Sequence, residues 1–357
     1  MIKSIIHSII YPSFFILIVR LSTFKSKGYY LGIFCDIMDE MNGRTNMTYI
    51  YFLKYPIYEQ ELCQLEMKRI FDVDIQGFEL FHDLDLAVSR SVFVKYKMEI
   101  YHQASDFETL LKEVRKENYV FEDFKLQFVK PHHHVVEYQD SLQKLRDLCE
   151  YIEGSVDMHH PKLMLGLTYI DGIWYFGKVE QDNQSWLSHA SKPYSYSLSL
   201  SARDARVICS IAQGNRKNIQ LIDPCCGVGT VILEGLSMGF HIIGSELNKD
   251  VCYKAKKNLI HFGYDPKVIE WKDMHTIDKQ YDVAILDIPY GVYTPITKAQ
   301  QQALICSTAN FCQELILVAL EDMSSMLEKA GYTIVAEAHV AKMQFKRYIY
   351  IARKDEE

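Results

Sequence analysis

Residues 221–246 read LIDPCCGVGTVILEGLSMGFHIIGSE: a strand, a glycine turn, a helix, and a second strand ending on an acid. Leu221 and Ile222 close a short apolar run, and Asp223 stands where that strand stops. Gly227 and Gly229 supply a turn without Cβ atoms, which lets a ligand come close to the backbone. Residues 230–236 have helical composition, and a helix there directs its free N–H groups into the turn. Residues 241–245 form the next buried strand, with Glu246 at its carboxyl end. This is half of a doubly wound nucleotide fold, in which ligand-facing groups lie at the carboxyl ends of parallel strands.

The alternation continues to the end of the chain. Residues 250–262 read as a helix with Lys254, Lys256 and Lys257 outward, and 268–271 as a third strand running into Lys272 and Asp273. Residues 281–286 make a fourth strand ending on Asp287, and 314–320 a fifth, followed by a helix over 322–329. Residues 332–340 and 345–352 pair as a closing hairpin. The fold class is therefore α/β, a Rossmann-like sheet that is mainly parallel with an antiparallel closing strand.

Upstream the pattern changes to α+β. Residues 48–55 read as an aromatic strand and 57–71 as a helix. Residues 86–96 follow as a strand, 107–116 as a helix, 124–129 as a strand and 140–152 as a second amphipathic helix. Residues 164–169 and 173–178 form a hairpin turned by Asp171-Gly172. The expected organisation is a module over 47–180, a polar linker over 181–193 and the nucleotide-type domain over 194–357, with a helix from 201 or 202 to 211.

Residues 1–46 do not resemble the rest of the chain. Residues 5–21 are strongly apolar, but His7, Ser8, Pro12 and Ser13 interrupt them and leave no run long enough to span a bilayer. No A-x-A-like site comes after them to mark a cleaved signal peptide. The favoured reading is translation from Met47, with residues 1–46 a start-site artefact or a disordered leader.

At 357 residues the chain has room for two domains of roughly 100–200 residues each. Its 48% apolar and 24% charged residues are those of an ordinary globular protein. The net charge of −7 excludes an overall positive field, so an RNA partner needs a local basic patch. The 47–150 stretch carries 13 Lys+Arg against 19 Asp+Glu, a balance of −6. Nine scattered cysteines without a CxxC pair point to a reduced, cytosolic protein. His132, His133 and His134 lack a Cys or acid at ligand spacing, so they read as a solvated loop and no metal is expected.

Four acids thus fall at successive strand ends: Asp223, Glu246, Asp273 and Asp287. Ile232 stands where a dinucleotide fingerprint needs its third glycine, so a ligand without a pyrophosphate suits the turn better. Asp223 suits a cationic group, Glu246 two ribose hydroxyls, and Asp273 an adenine amine beside the apolar wall of Leu247 and Met274. S-adenosylmethionine meets all three demands. In Asp287-Ile288-Pro289-Tyr290-Gly291, the Asp287 side chain and the Ile288 carbonyl each suit one N–H of an exocyclic amine. Tyr290 offers a plane for the base, and such stacking contributes about 1–3 kcal/mol. Cys225 and Cys226, beside the turn, read as packing residues, because amine methylation needs no covalent intermediate.

The segments DPCCGVGT, SELN, WKD and DIPYG, with YSYSLSLSARDAR upstream, resemble those of the amino-group methyltransferases carrying an (Asp/Asn)-Pro-Pro-(Tyr/Phe) motif. Within that group they are most similar to the THUMP-associated RNA methylases, which include tRNA guanine-N2 methyltransferases acting at position ten. The resemblance covers about residues 193–353. It implies a seven-stranded methyltransferase sheet preceded by a smaller THUMP-like RNA-binding domain. It assigns cofactor binding to Asp223, Pro224, Cys225, Gly227, Gly229, Thr230, Glu246 and Leu247. Asp273 and Met274 would hold the adenine, Asp287 would complete the cofactor site, and Asp287, Ile288, Pro289 and Tyr290 would hold the target base. Ile288 departs from the motif, replacing its first proline and loosening the φ restraint there. The expected activity is S-adenosylmethionine-dependent methylation of guanine N2 in tRNA, by a cytoplasmic protein with no membrane partner. The alternatives are adenine-N6 methylation of RNA or DNA, and a cofactor-binding RNA module with weak or lost catalysis.

Overall fold

The computed structural model describes residues 48–133, 135–196, 199–289, 296–342 and 345–354; the leader over 1–46, His134 and Tyr290 lie outside them. The described residues build two seven-stranded sheets. The first comprises β1 (Tyr49–Leu53), β2 (Glu79–His82), β3 (Val94–Ala104), β4 (Val120–Phe128), β5 (Glu153–Val156), β6 (Leu163–Ile170) and β7 (Ile173–Gln181). Three helices go with it: α1 (Gln60–Phe71), α2 (Phe107–Glu117) and α3 (Tyr138–Cys149). The strand order is β2-β1-β3-β7-β6-β4-β5, with β4 parallel to β5 and β6 and the other pairs antiparallel. All five residues of β1 are buried, which explains why its aromatic run shows no polar face. Asp171 and Gly172 turn the β6–β7 hairpin at φ 48° and 89°, the two positive values a tight two-residue turn requires.

The second sheet contains β8 (Gln220–Asp223), β9 (His241–Glu246), β10 (Ile269–Trp271), β11 (Tyr281–Asp287), β12 (Cys312–Ala319), β13 (Tyr332–Lys342) and β14 (Phe345–Lys354). It is accompanied by α4 (Ala202–Gln213), α5 (Thr230–Ser237), α6 (Lys249–His261), α7 (Lys298–Thr308) and α8 (Ser324–Lys329). Its order is β10-β9-β8-β11-β12-β14-β13. The first five strands run parallel, and β14 runs antiparallel to both β12 and β13. The alternation of strands and helices predicts this α/β sheet, but the antiparallel strand sits inside the edge rather than on it. The strand order reverses between β8 and β11, which is where such sheets bind ligands.

Four elements differ from the sequence expectation. The strand expected from residue 86 begins only at Val94; a short 3-10 turn, Val88–Arg90, precedes it. Its cause is tertiary. Arg90 reaches across to donate to Ser210 Oγ at 2.8 Å and the Gly214 carbonyl at 3.0 Å, and lies over the Phe240 ring at 4.2 Å. Helix α7 and the short edge strands β2 and β5 do not appear in the sequence reading. Val156 is the one large apolar residue of β5, and all four of its residues are exposed.

The polar stretch between the sheets is anchored. Trp186 and His189 are buried, and His189 Nδ1 lies 2.7 Å from Glu234 Oε1 on α5. The other oxygen of Glu234 accepts from Arg206 of α4 at 2.8 Å. A buried charge is tolerated only when paired in this way. Leu62, Leu65 and Ile70 of α1 share one apolar cluster with Ile208 and Ile211 of α4, so the two sheets have a core in common. Beside it, the buried Glu314 carboxylate on β12 accepts from Arg69 of α1, Arg216 and Arg353. Burial alone would raise that carboxyl, but the three guanidinium groups overcome it and hold it below the usual range.

Candidate active site

The residues singled out in the sequence converge at the carboxyl edge of β8, β9, β10 and β11. Asp223 ends β8 with only 3% of its surface exposed, and its Oδ1 accepts the Cys225 N–H at 3.2 Å. Burial pushes its carboxyl well above the ordinary range, and the charges of Asp287 and Glu246 push the same way against that one hydrogen bond. Glu246 ends β9 and clamps two backbones. One oxygen accepts the Gly227 N–H at 3.0 Å and the other the Asn248 N–H at 2.7 Å. The acid on one strand thereby holds the glycine turn that follows its neighbour.

The turn itself is fixed from below. Cys226 donates its N–H to the Ser245 carbonyl at 2.9 Å, and Ser245 Oγ donates to the Pro224 carbonyl at 2.9 Å. Gly227 has φ +54°, and a Cβ built on it would meet nothing within 4 Å. Gly229 has φ +80° and packs more closely, with Ile269 Cδ1 3.3 Å and Ala255 Cβ 3.4 Å from the same position. Thr230 opens α5, is buried, and its Oγ1 has no hydrogen-bond partner among the described residues. Burial, then the neighbouring carboxylates, pushes the Cys225 and Cys226 thiols up, which keeps them protonated and suits packing rather than nucleophilic chemistry.

Asp273 follows β10 and caps the next 3-10 turn, its Oδ1 accepting the His275 N–H at 2.9 Å. Leu247 and Met274, read together as an apolar wall, are placed differently. Leu247 is 67% exposed, whereas Met274 is buried with its sulfur 3.4 Å from Cys225 Sγ. Asp287 ends β11, next to β8 across the strand-order reversal. Ile288 is fully buried and donates its N–H to the Val318 carbonyl at 3.0 Å. Pro289 follows, its carbonyl accepting from Gln301 Nε2 at 3.0 Å.

Two residues that shape this edge escape the sequence reading. Gln301 sits on α7, whose Thr297–Gln300 capping box was the available signal. Thr297 Oγ1 accepts the Gln300 N–H at 3.2 Å, and Gln300 Oε1 accepts the Thr297 N–H at 2.8 Å. Asn258, fully buried on α6, donates to the Val228 carbonyl at 2.9 Å and to the Tyr194 carbonyl at 2.8 Å. Its Oδ1 accepts the Tyr194 N–H at 2.9 Å. It ties the segment before α4 to the glycine turn, and no local signal distinguishes it from a surface asparagine.

Comparison with known proteins places the same part of the chain. Residues 190–341 match a family model described as UPF0020: RMKL-like, methyltransferase domain. The chain is 29% identical over 104 residues to the tRNA (guanine(10)-N2)-dimethyltransferase of Methanothermobacter thermautotrophicus, covering 28% of this chain and 30% of the relative. It is 28% identical over 142 residues to the enzyme of the same name from Pyrococcus abyssi, covering 38% of this chain and 39% of the relative. The chain thus spans well under half the length of these two relatives. Among solved structures, TrmN from Thermus thermophilus aligns at a TM-score of 0.44 and 13% identity, over 86% of this chain and 100% of that one. The segment that matches the RMKL-like methyltransferase domain model, residues 190–341, contains the glycine turn, the four acids and the Asp287–Tyr290 sequence.

Proposed function

We propose that this protein is an S-adenosylmethionine-dependent RNA methyltransferase acting on an exocyclic base amine, guanine N2 in tRNA. The observation that carries the reading is the meeting of Asp223, Glu246, Asp273 and Asp287 around one glycine turn at the strand-order reversal. The residues fit the cofactor. The space beside Gly227 is open, Leu247 is exposed beside Glu246, and Thr230 Oγ1 lacks a partner among the described residues. The buried Asp223 lies among like charges, a setting that a cationic ligand relieves.

The cofactor supplies an electrophilic methyl group. Asp223 and the turn from Pro224 and Cys225 through Gly227 and Gly229 to Thr230 would hold the donor end, Glu246 the ribose, and Asp273 with Leu247 and Met274 the adenine. Asp287 and the Ile288 carbonyl orient the amine, and Asp287 takes or relays its proton, with Pro289 shaping the turn and Tyr290 stacking on the base. Catalysis of this kind rests on positioning, which can supply several orders of magnitude in rate. Support for tRNA as substrate comes from the names of the two curated relatives.

The test is transfer of a labelled methyl group to unmodified tRNA transcripts, followed by digestion to nucleosides. Label in N2-methylguanosine is the expected result, lost in Asp287→Ala while cofactor binding persists. Label in N6-methyladenosine would change the substrate, and no transfer to any RNA would end the proposal.

A further inference from the structure

Helix α6 starts beside Glu246 and carries four lysines, at 249, 254, 256 and 257, against the single acid Asp250, in a protein of net charge −7. Four of the seven exposed aromatic side chains among the described residues lie on this helix or against it: Tyr194, Tyr196, Tyr253 and Trp271. Three of these rings are each approached by a lysine of the helix. Lys249 Nζ is 5.1 Å from the Trp271 ring centre, Lys254 Nζ 5.5 Å from that of Tyr196, and Lys257 Nζ 5.3 Å from that of Tyr253. The platform is held in place from beneath. Asn258 bonds both backbone groups of Tyr194, Lys254 donates to the Tyr196 hydroxyl at 3.2 Å, and Trp271 Nε1 donates to the Leu247 carbonyl at 2.9 Å.

Given the function proposed above, on which this rests, we infer that the α6 face is the RNA-binding surface of the methyltransferase domain. It would take unpaired nucleotides flanking the target base, with bases on Tyr253, Tyr196 and Trp271 and phosphates on Lys249, Lys254 and Lys257. A merely solvated helix face needs no exposed rings, and an apolar protein interface depletes lysine. Alternating rings and ammonium groups fit a strand that presents a flat π-face and a charge at every residue. An exposed lysine over a ring is held weakly enough for a stacking base to displace it. The surface also answers the charge problem: the 47–150 stretch is acidic at −6, whereas α6 is basic.

The experiment measures binding of a fluorescent tRNA transcript by anisotropy across a salt series, for the full chain and three variants. The variants are Lys254→Ala with Lys257→Ala, Tyr253→Ala, and Tyr253→Phe. Cofactor binding and the thermal midpoint are followed in parallel as controls. The lysine pair should weaken binding and lower the slope of log affinity against log salt by about 1.4, at about 0.7 per single-strand phosphate contact. Tyr253→Ala should weaken binding at least about fivefold, and Tyr253→Phe should restore it, since the ring and not the hydroxyl stacks. Parent-like affinity and slope in the lysine pair and in Tyr253→Ala would overturn the surface while leaving the methyltransferase reading intact. A parent protein that binds no RNA would overturn both. Lysine-dependent sedimentation with phosphatidylserine vesicles, with RNA binding unchanged, would assign the face to a membrane instead and overturn the inference.

Discussion

Ile288 donates its backbone N–H to the Val318 carbonyl at 3.0 Å, carrying the β11–β12 ladder one residue beyond Asp287. A proline at this position, as in the family motif, has no hydrogen to give. The β12 strand, rather than a pyrrolidine ring, therefore restrains the backbone just after the acid. The Ile288 side chain is fully buried in the same cluster as Leu286 and Leu317. Ile288→Pro should therefore destabilise the protein by about 2–4 kcal/mol, from the lost bond and the lost volume together. Ile288→Val keeps the donor and should lose only about 0.5–1.5 kcal/mol. Urea unfolding of the two variants checks the order; equal losses would mean that the ladder bond contributes nothing.

Asp223 sets a pH dependence with a defined sign. Its folded carboxyl is raised by burial and by Asp287 and Glu246, so the native state binds more protons than the unfolded one, whose Asp titrates near ~3.9. Stability should fall as pH rises from about 4 through the raised value, by up to about 1.4 kcal/mol per pH unit. Asp223→Asn should remove that fall, and the difference between parent and variant isolates it from other groups. A cationic ligand favours the ionised carboxylate. Calorimetry of S-adenosylmethionine binding in buffers of different ionisation heat should therefore show proton release in the parent and none in Asp223→Asn.

The glycine turn and its acids were legible because strand ends, glycines and charged residues are local signals at fixed spacing. The Asp171-Gly172 hairpin was legible for the same reason, its turn demanding two positive φ values. Helix α7 was not, because its Gln300-Gln301-Gln302 run offers little apolar periodicity and only the Thr297 cap announces it. The late start of β3 was invisible because Arg90 is drawn away by Ser210 and Gly214, more than a hundred residues along the chain. Asn258 illustrates the general limit. Its role comes entirely from what it meets, Tyr194 and Val228, and neither is near it in sequence.

Glu314 joins three arginines from separate parts of the chain, one of them on α1 of the first sheet. Removing its charge leaves Arg69 and Arg216 without their carboxylate in a largely buried place. Glu314→Gln should lower stability by about 3–5 kcal/mol, the usual cost of breaking a buried pair from one side. The pH signature is opposite to that of Asp223. A carboxyl held below its unfolded value of about 4.3 stabilises above that pH and loses the contribution as pH falls through the folded value. Urea midpoints between about pH 3 and 6 should therefore drop steeply in the parent and less steeply in the variant.

Gly227 and Gly229 should separate binding from stability. Both have positive φ, so alanine at either costs about 1–2 kcal/mol of backbone strain. Their surroundings differ. A methyl group on Gly229 presses on Ile269 and Ala255, between β10 and α6, so Gly229→Ala should carry the larger loss in urea unfolding. A methyl group on Gly227 meets no protein atom and projects into the space proposed for the cofactor. Gly227→Ala should therefore keep most of its stability and bind S-adenosylmethionine at least about tenfold more weakly, a loss of about 1.4 kcal/mol. Calorimetric titration of both variants reads the contrast. Parent-like affinity in Gly227→Ala would place the ligand elsewhere, because this substitution adds volume to the site while removing no interaction.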